Sequence, residues 1–311
     1  MRALTFSTFG GPEVLEVKEL PDREPGPGQV RIRVAAATVN PTDTGFRRGG
    51  QAAALGDLKP PYIPGMEFAG TVDKAGEGSE WKPGDRVMAI VVPRRPEGGA
   101  MQQTVVVPSK SVARAPEGVS LEQAATLPMN GLTVQLALDS LALKPGETLA
   151  VTGAAGAVGG YAVELGVAAG LRVIAIASEK DEPLLKKMGA WAFVPRGDDA
   201  VAGVRKLMPD GVDGIVDAAV IGEAILPAIK DGGGMAVVRG WQGETQRGIT
   251  VHPVQVSRYA ENQEALANLG KLVEQGKLTL RVQETFTPEQ AAEAHRKMEA
   301  GGIRGRLVVT F

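Results

Sequence analysis

The residues best placed for chemistry sit in 149–170, LAVTGAAGAVGGYAVELGVAAG. An apolar run, Leu149-Ala150-Val151-Thr152, stops at Gly153, and Ala154-Ala155-Gly156 and Ala157-Val158-Gly159 follow. Small and apolar residues then recur at helical spacing through Val163, Leu165 and Val167. The pattern predicts a strand, a tight turn and a helix whose first turn opens among the glycines. Backbone N–H groups at such a helix start lack intrahelical partners and carry the positive end of the helix dipole. A pyrophosphate reaches them only where side chains do not hold it off, hence glycine and alanine. The plainer alternative is a tight turn with close helix packing. A site for NAD places Asp or Glu about twenty residues further on, against the ribose hydroxyl. Here the strand 173–177 ends instead in Ser178-Glu179-Lys180. Ser178 can donate to a ribose phosphate and Lys180 can supply charge, whereas Glu179 repels a phosphate if it points inward. The balance favours NADPH over NADH, with a solvated loop charge as the alternative for Lys180.

The inventory removes other chemistries. Cysteine is absent from the 311 residues, which excludes disulfides, thiolate catalysis and Cys-ligated metal. The two histidines, His252 and His295, are far apart in sequence, so a His-built zinc site is not expected. His252 precedes Pro253 in an expected loop and His295 falls within a helix; neither is read as a proton shuttle. The chain is 43% hydrophobic with a net charge of −2, enough to bury a sizeable core and without a basic stripe for nucleic acid. No run approaches a membrane span, and MRALTFSTFGGPEV has no apolar signal core, so a cytoplasmic protein is expected.

The elements that must position these residues change character along the chain. Residues 1–120 read as β-rich, with runs at 15–17, 30–35, 68–72, 87–92 and 104–107 cut by Gly and Pro clusters. Residues 120–139 read as a helix, with Ser120 and Gln123 as a capping box. Strands at 149–152, 172–177, 192–194, 214–217 and 235–238 then alternate with helices that include 181–188 and 201–208. Such alternation predicts a doubly wound parallel sheet. An amphipathic helix is expected over 258–276, and 280–282 and 306–311 read as late strands around the helix 288–300. The expected division is 1–120 completed by 257–311, with 121–256 as the nucleotide-binding part.

In this order the motifs form a specific series. They are Asn40-Pro41-Thr42-Asp43, Ile63-Pro64-Gly65-Met66-Glu67-Phe68-Ala69-Gly70, Lys82-Pro83-Gly84-Asp85-Arg86-Val87, Ala124 through Thr133, the glycine turn, and Gly305-Arg306-Leu307-Val308. The chain resembles the medium-chain dehydrogenase/reductase superfamily, and within it the zinc-free quinone oxidoreductase (zeta-crystallin-like) group, over nearly its whole length. The resemblance implies an α/β protein with a GroES-like catalytic domain and a Rossmann domain, a cleft between them and a homodimer. It implies that Asn40 stands where zinc-dependent relatives carry a Cys and Met66 where they carry a His. Reduction of a simple ketone makes a strongly basic alkoxide, which calls for a Lewis acid or a positioned proton donor. A quinone or enone gives a milder anion, so a metal-free site suits those acceptors.

The resemblance also implies roles. Asn40 would hydrogen-bond the acceptor or nicotinamide, Asp43 would orient an arginine, and Thr133 would contact the nicotinamide ribose. Structural readings compete for each: a turn starter, an ion pair, and helix capping or packing. Arg196 would lie near the 2′-phosphate, Ala218 would give an apolar close approach, and Gly240 would lie beside the nicotinamide. Glu67 is expected as buried support. Two departures touch the substrate side: Arg48-Gly49 is followed by Gly50-Gln51 instead of a tyrosine, and 98–103 reads GGAMQQ. The functional alternatives are an enoyl-thioester or alkenal reductase and a non-catalytic NADPH-binding structural protein.

Overall fold

The computed structural model describes residues 1–311, which separate into two compact units. Unit 1 comprises Met1–Met129, Ser257–Glu274 and Leu280–Phe311; unit 2 comprises Asn130–Val256 and Gln275–Thr279.

Unit 1 opens with β1 (Arg2–Thr5) and β2 (Glu16–Glu19), an antiparallel pair. There follow β3 (Gln29–Thr38), α1 (Pro41–Arg47), β4 (Glu67–Ala75), β5 (Arg86–Ile90), β6 (Thr104–Pro108) and β7 (Val112–Arg114). Alternation sets the core face: Val30, Ile32 and Val34 of β3 are buried while Arg33 between them is exposed. The capping box forms, with Gln123 N donating to Ser120 Oγ at 3.2 Å. The helix it starts is short, however. α2 (Leu121–Ala124) ends, and α3 (Pro128–Leu141) begins separately. Pro128 disfavours helical backbone at the residue before it and is preorganised for a first helical position. The single helix expected over 120–139 is therefore two.

Unit 2 alternates β8 (Thr148–Thr152), α4 (Ala157–Ala168), β9 (Arg172–Ala177), α5 (Glu182–Lys187), β10 (Ala192–Pro195), α6 (Ala200–Leu207), β11 (Val212–Asp217), β12 (Ile229–Val237) and β13 (Thr250–Pro253). The sheet is parallel throughout, in the order β10-β9-β8-β11-β12-β13. Every residue of β8 is buried, as expected of a strand covered on both faces. β13 was not anticipated: His252 lies in this edge strand, paired with Ala236, and not in a loop.

The chain then returns to unit 1 with α7 (Gln263–Glu274), β14 (Val282–Phe286), α8 (Ala291–Ala300) and β15 (Arg306–Thr310). α7 starts later than the apolar pattern suggests because Asn262 Oδ1 accepts from Ala265 N at 3.0 Å, a side-chain cap. Leu266 and Leu269 on its apolar face are buried. β15 pairs antiparallel with β3 and parallel with β14, so the larger sheet runs β14-β15-β3-β4-β5-β7, with β6 also on β3. Phe68, Val87, Val107, Leu307 and Val309 share its core.

Candidate active site

In unit 2, β8 ends at Thr152 and Gly153 turns the chain at φ +58°, a left-handed conformation that favours glycine. Gly156 caps α4 in extended geometry, and the helix begins at Ala157. The turn is fixed by Ala154 N donating to Ile176 O at 3.1 Å and Gly156 N donating to Gly153 O at 2.9 Å. A Cβ on Gly159 would collide with the Gly153 carbonyl and lie 2.7 Å from Ala154 Cα, so this glycine is required by packing. At Gly156 the same added atom would lie 3.2 Å from Gly153 O, its nearest neighbour, and would otherwise enter open space. The twelve-residue helix α4 directs its first-turn N–H groups, those of Ala157, Val158 and Gly159, toward that space. This cradle fits a pyrophosphate. Sheet order places it correctly, because β8 lies between β9 and β11, where the strand order reverses.

Around it, the carboxyl ends of neighbouring strands present the other sequence-identified residues. Ala177 of β9 is in register with Pro195 of β10, and Arg196 N donates to Ala177 O at 2.7 Å. Ser178 and Arg196 are thus at adjacent strand ends, with Arg196, Lys180 and Glu179 all exposed. Ala218 is half-buried just beyond β11. Gly240, in the loop after β12, is exposed, with no chain atom within 4 Å of an added Cβ.

Asp217, expected from the sequence only as the end of an apolar run at this edge, organises it together with Thr152. Asp217 Oδ1 accepts from Thr152 Oγ1 at 2.6 Å and Ile221 N at 3.0 Å, and Oδ2 accepts from Gly222 N at 2.9 Å. Thr152 Oγ1 accepts in turn from Ala219 N at 3.0 Å. The Thr152–Asp217 pair, opposite each other in register, thereby shapes the loop that passes the glycine turn. Within that loop Val220 adopts φ +56°, an unusual strain for a β-branched residue, with its side chain exposed.

In unit 1, Asn40 and Asp43 lie in a buried polar cluster. Asp43 is fully buried; its Oδ2 accepts from Asn40 N at 2.8 Å and its Oδ1 from Gly65 N at 2.9 Å. Burial pushes its carboxyl up to about 7, against the opposing effect of those two N–H donors. Asp43 holds two backbone segments and not the arginine expected from the resemblance. The arginine of this cluster, Arg306, pairs with buried Glu67 and donates to Asn40 Oδ1 at 2.8 Å. Asn40 Nδ2 faces Thr38 Oγ1 and Glu67 Oε1, each at 3.3 Å, so its amide is engaged within unit 1. Glu67 also bonds Thr38 and accepts from Met129 N at 2.7 Å, consistent with buried support. Thr133 lies in the second turn of α3 and is 7% exposed, in unit 2.

The donor set does not fit zinc. No three His, Cys, Asp or Glu side chains group as a metal site, and the Asn40 amide and Met66 thioether are poor zinc ligands. His295 is fully buried beside Arg47, whose Nη1 lies 3.5 Å from its Nδ1. Burial, with the nearby guanidinium, lowers this imidazole to about 3, so it stays neutral.

Residues 26–117 match the family described as alcohol dehydrogenase GroES-like domain, and 188–309 match that described as zinc-binding dehydrogenase. A solved structure, described as an NAD-dependent alcohol dehydrogenase, superposes with a TM-score of 0.88 at 30% identity over 100% of both chains. The chain belongs to the medium-chain dehydrogenase/reductase superfamily. Similar members of the superfamily include the quinone oxidoreductase of Pseudomonas aeruginosa, 29% identical with 99% of each chain covered. The chloroplastic NADPH-dependent alkenal/one oxidoreductase of Arabidopsis thaliana is 28% identical over 99% of this chain and 79% of that protein. This medium-chain dehydrogenase/reductase is therefore an oxidoreductase of a family that binds nicotinamide cofactors.

Proposed function

We propose that this protein reduces quinones or activated alkenes with NADPH and without a metal. The carrying observation is the glycine cradle at the switch point of a sheet whose second strand ends in Ser178 and not in an acid. The Gly153–Gly159 backbone would hold the pyrophosphate; Ser178, Lys180 and Arg196 would hold the ribose 2′-phosphate. When bound, the reduced nicotinamide supplies the hydride. Ala218 and Gly240 leave room for close approach, and Thr133 is assigned to the nicotinamide ribose. Asp43 pins Asn40 and Gly65, while Glu67 and Arg306 set the Asn40 amide, so these three act by positioning. The product anion of a quinone resembles a phenolate, with a pKa of about 10, so water suffices as proton source. Fully buried His295 is not that source.

A second reading, an alkenal or enoyl-thioester reductase, draws support from the alkenal/one oxidoreductase relative. The alcohol dehydrogenase likeness favours NAD, but the Ser178 strand end argues the other way. The test is steady-state oxidation of NADPH and NADH with a quinone, an enone, an enoyl thioester and a simple ketone. NADPH should lead NADH by at least about tenfold in kcat/KM, a difference of about 1.4 kcal/mol, with quinone or enone as acceptor and the ketone inert. Preference for NADH would overturn the assignment of Ser178 and Arg196, and tight NADPH binding without turnover on any acceptor would sink the enzyme reading.

A further inference from the structure

Unit 1 carries a cavity of about 480 Å³ that shares no residue with the cofactor cradle or the Asn40 cluster. Its volume lies within the range of small-molecule sites, roughly 300–1,000 Å³. Pro21, Pro61, Pro93 and Pro96 contribute to the wall, so much of the lining backbone is conformationally restricted before any ligand arrives. Leu58, Tyr62 and Ile63 give it an apolar side. Tyr62 is held from behind by Phe9, whose ring stacks on it with a centroid separation of 6.0 Å, and by a hydrogen bond to Leu58 O at 3.3 Å.

The charged side chains in the lining are all cationic: Arg23, Lys59 and Arg95. Arg23 donates to Pro96 O at 2.6 Å, which fixes its guanidinium at the cavity. Arg95 is the unusual member. Its side chain is four-fifths buried, yet it makes one hydrogen bond, Nε to Gly98 O at 2.9 Å. Nη2 is buried with no partner, and the nearest carboxylate, that of Glu97, stands 3.9 Å from Nε. Burial and the charge of Arg23 both lower this guanidinium, to about 10, with Glu97 opposing. A buried guanidinium presents five donors, and leaving them unmet carries a desolvation penalty. A bound carboxylate would meet the part of this guanidinium that faces the cavity in a charge-assisted hydrogen bond.

We propose that this cavity is a second binding site, taking a small carboxylate with a compact apolar or aromatic body. The carboxylate would meet Arg95, with Arg23 and Lys59 adding charge, and the body would lie against Tyr62, Leu58 and Ile63. The site does not depend on the proposed hydride transfer.

Calorimetric titration with benzoate, its neutral isostere benzamide and inorganic phosphate tests this. Wild-type protein should bind benzoate at one site, with benzamide and phosphate each at least tenfold weaker. Arg95→Met should weaken benzoate at least tenfold. Because it removes an under-partnered buried cation, it should also unfold at the same or a higher temperature than wild type. Arg23→Gln, at an exposed position, should weaken benzoate several-fold without moving the unfolding midpoint. Should Arg95→Met not fold, the Arg23 variant and the ligand series decide. Absence of saturable benzoate binding, unchanged affinity in both variants, or equal affinity for benzamide would overturn the proposal. Phosphate binding as tightly as benzoate would also overturn it, leaving a simple anion site.

Discussion

Gly156 and Gly159 separate two reasons for a glycine in the same turn. At Gly159 an added Cβ meets backbone that cannot yield. At Gly156 it meets one carbonyl at 3.2 Å and then the space where a phosphate would lie. Gly159→Ala should therefore lower stability by about 2–4 kcal/mol, the overpacking range and somewhat more for backbone contact. Gly156→Ala should cost less than about 1 kcal/mol in stability while weakening NADPH at least tenfold. Urea unfolding and fluorescence titration of NADPH measure the pair. Asp217→Ala removes three hydrogen bonds from a buried carboxylate and should destabilise unit 2 by about 2–4 kcal/mol; urea unfolding shows it. A loss below about 0.5 kcal/mol would show that the loop does not depend on the clamp. The glycine turn was legible because strand, turn and helix start are contiguous. The Asp217 clamp was not, because Thr152 and Asp217 are 65 residues apart and meet only through strand register.

At the scale of elements, two buried groups give opposite pH responses. His295 on α8 packs against Arg47 of α1 and stays neutral in the fold, at about 3 against an ordinary 6.5. The unfolded chain takes up that proton first, so stability falls as pH drops from 6.5 toward 3. Asp43 at the start of α1 is raised to about 7 from 3.8, so the folded chain keeps its proton longer. Its contribution is present below pH 3.8 and is lost as pH rises through 7. Each shift is worth about 1.4 kcal/mol per pK unit. In His295→Gln the Asp43 slope should remain, and stability should fall from pH 4 to 6.5. In Asp43→Asn the His295 slope should remain, and stability should rise over the same interval. Urea midpoints against pH measure both; two variants with the same slope would contradict the assignments. Most elements were legible from local pattern. The break before Pro128 is not legible in the sequence because helix-forming residues continue on both sides. The edge strand at His252 was hidden because Pro253 reads as a breaker, although an edge position tolerates it.

At the scale of the molecule, alternating strands and helices made the doubly wound sheet of unit 2 readable. The sheet of unit 1 was less so, because β15 closes on β3 from the far end of the chain and no local signal sets that pairing. The motif series supplied what local pattern did not. Site residues divide the same way: the cradle follows from contiguous sequence, whereas the Thr38–Asn40–Glu67–Arg306 cluster required the tertiary fold.

The central claim joins the cradle to metal-free reduction of a soft acceptor. Its most direct test is kcat/KM for NADPH oxidation by a quinone, in wild type and Gly156→Ala, each with and without a strong zinc chelator. Wild-type turnover should be unchanged by the chelator and should fall at least about tenfold in Gly156→Ala, a transition-state loss of about 1.4 kcal/mol or more. Loss of wild-type activity in chelator, or full activity in Gly156→Ala, would contradict it.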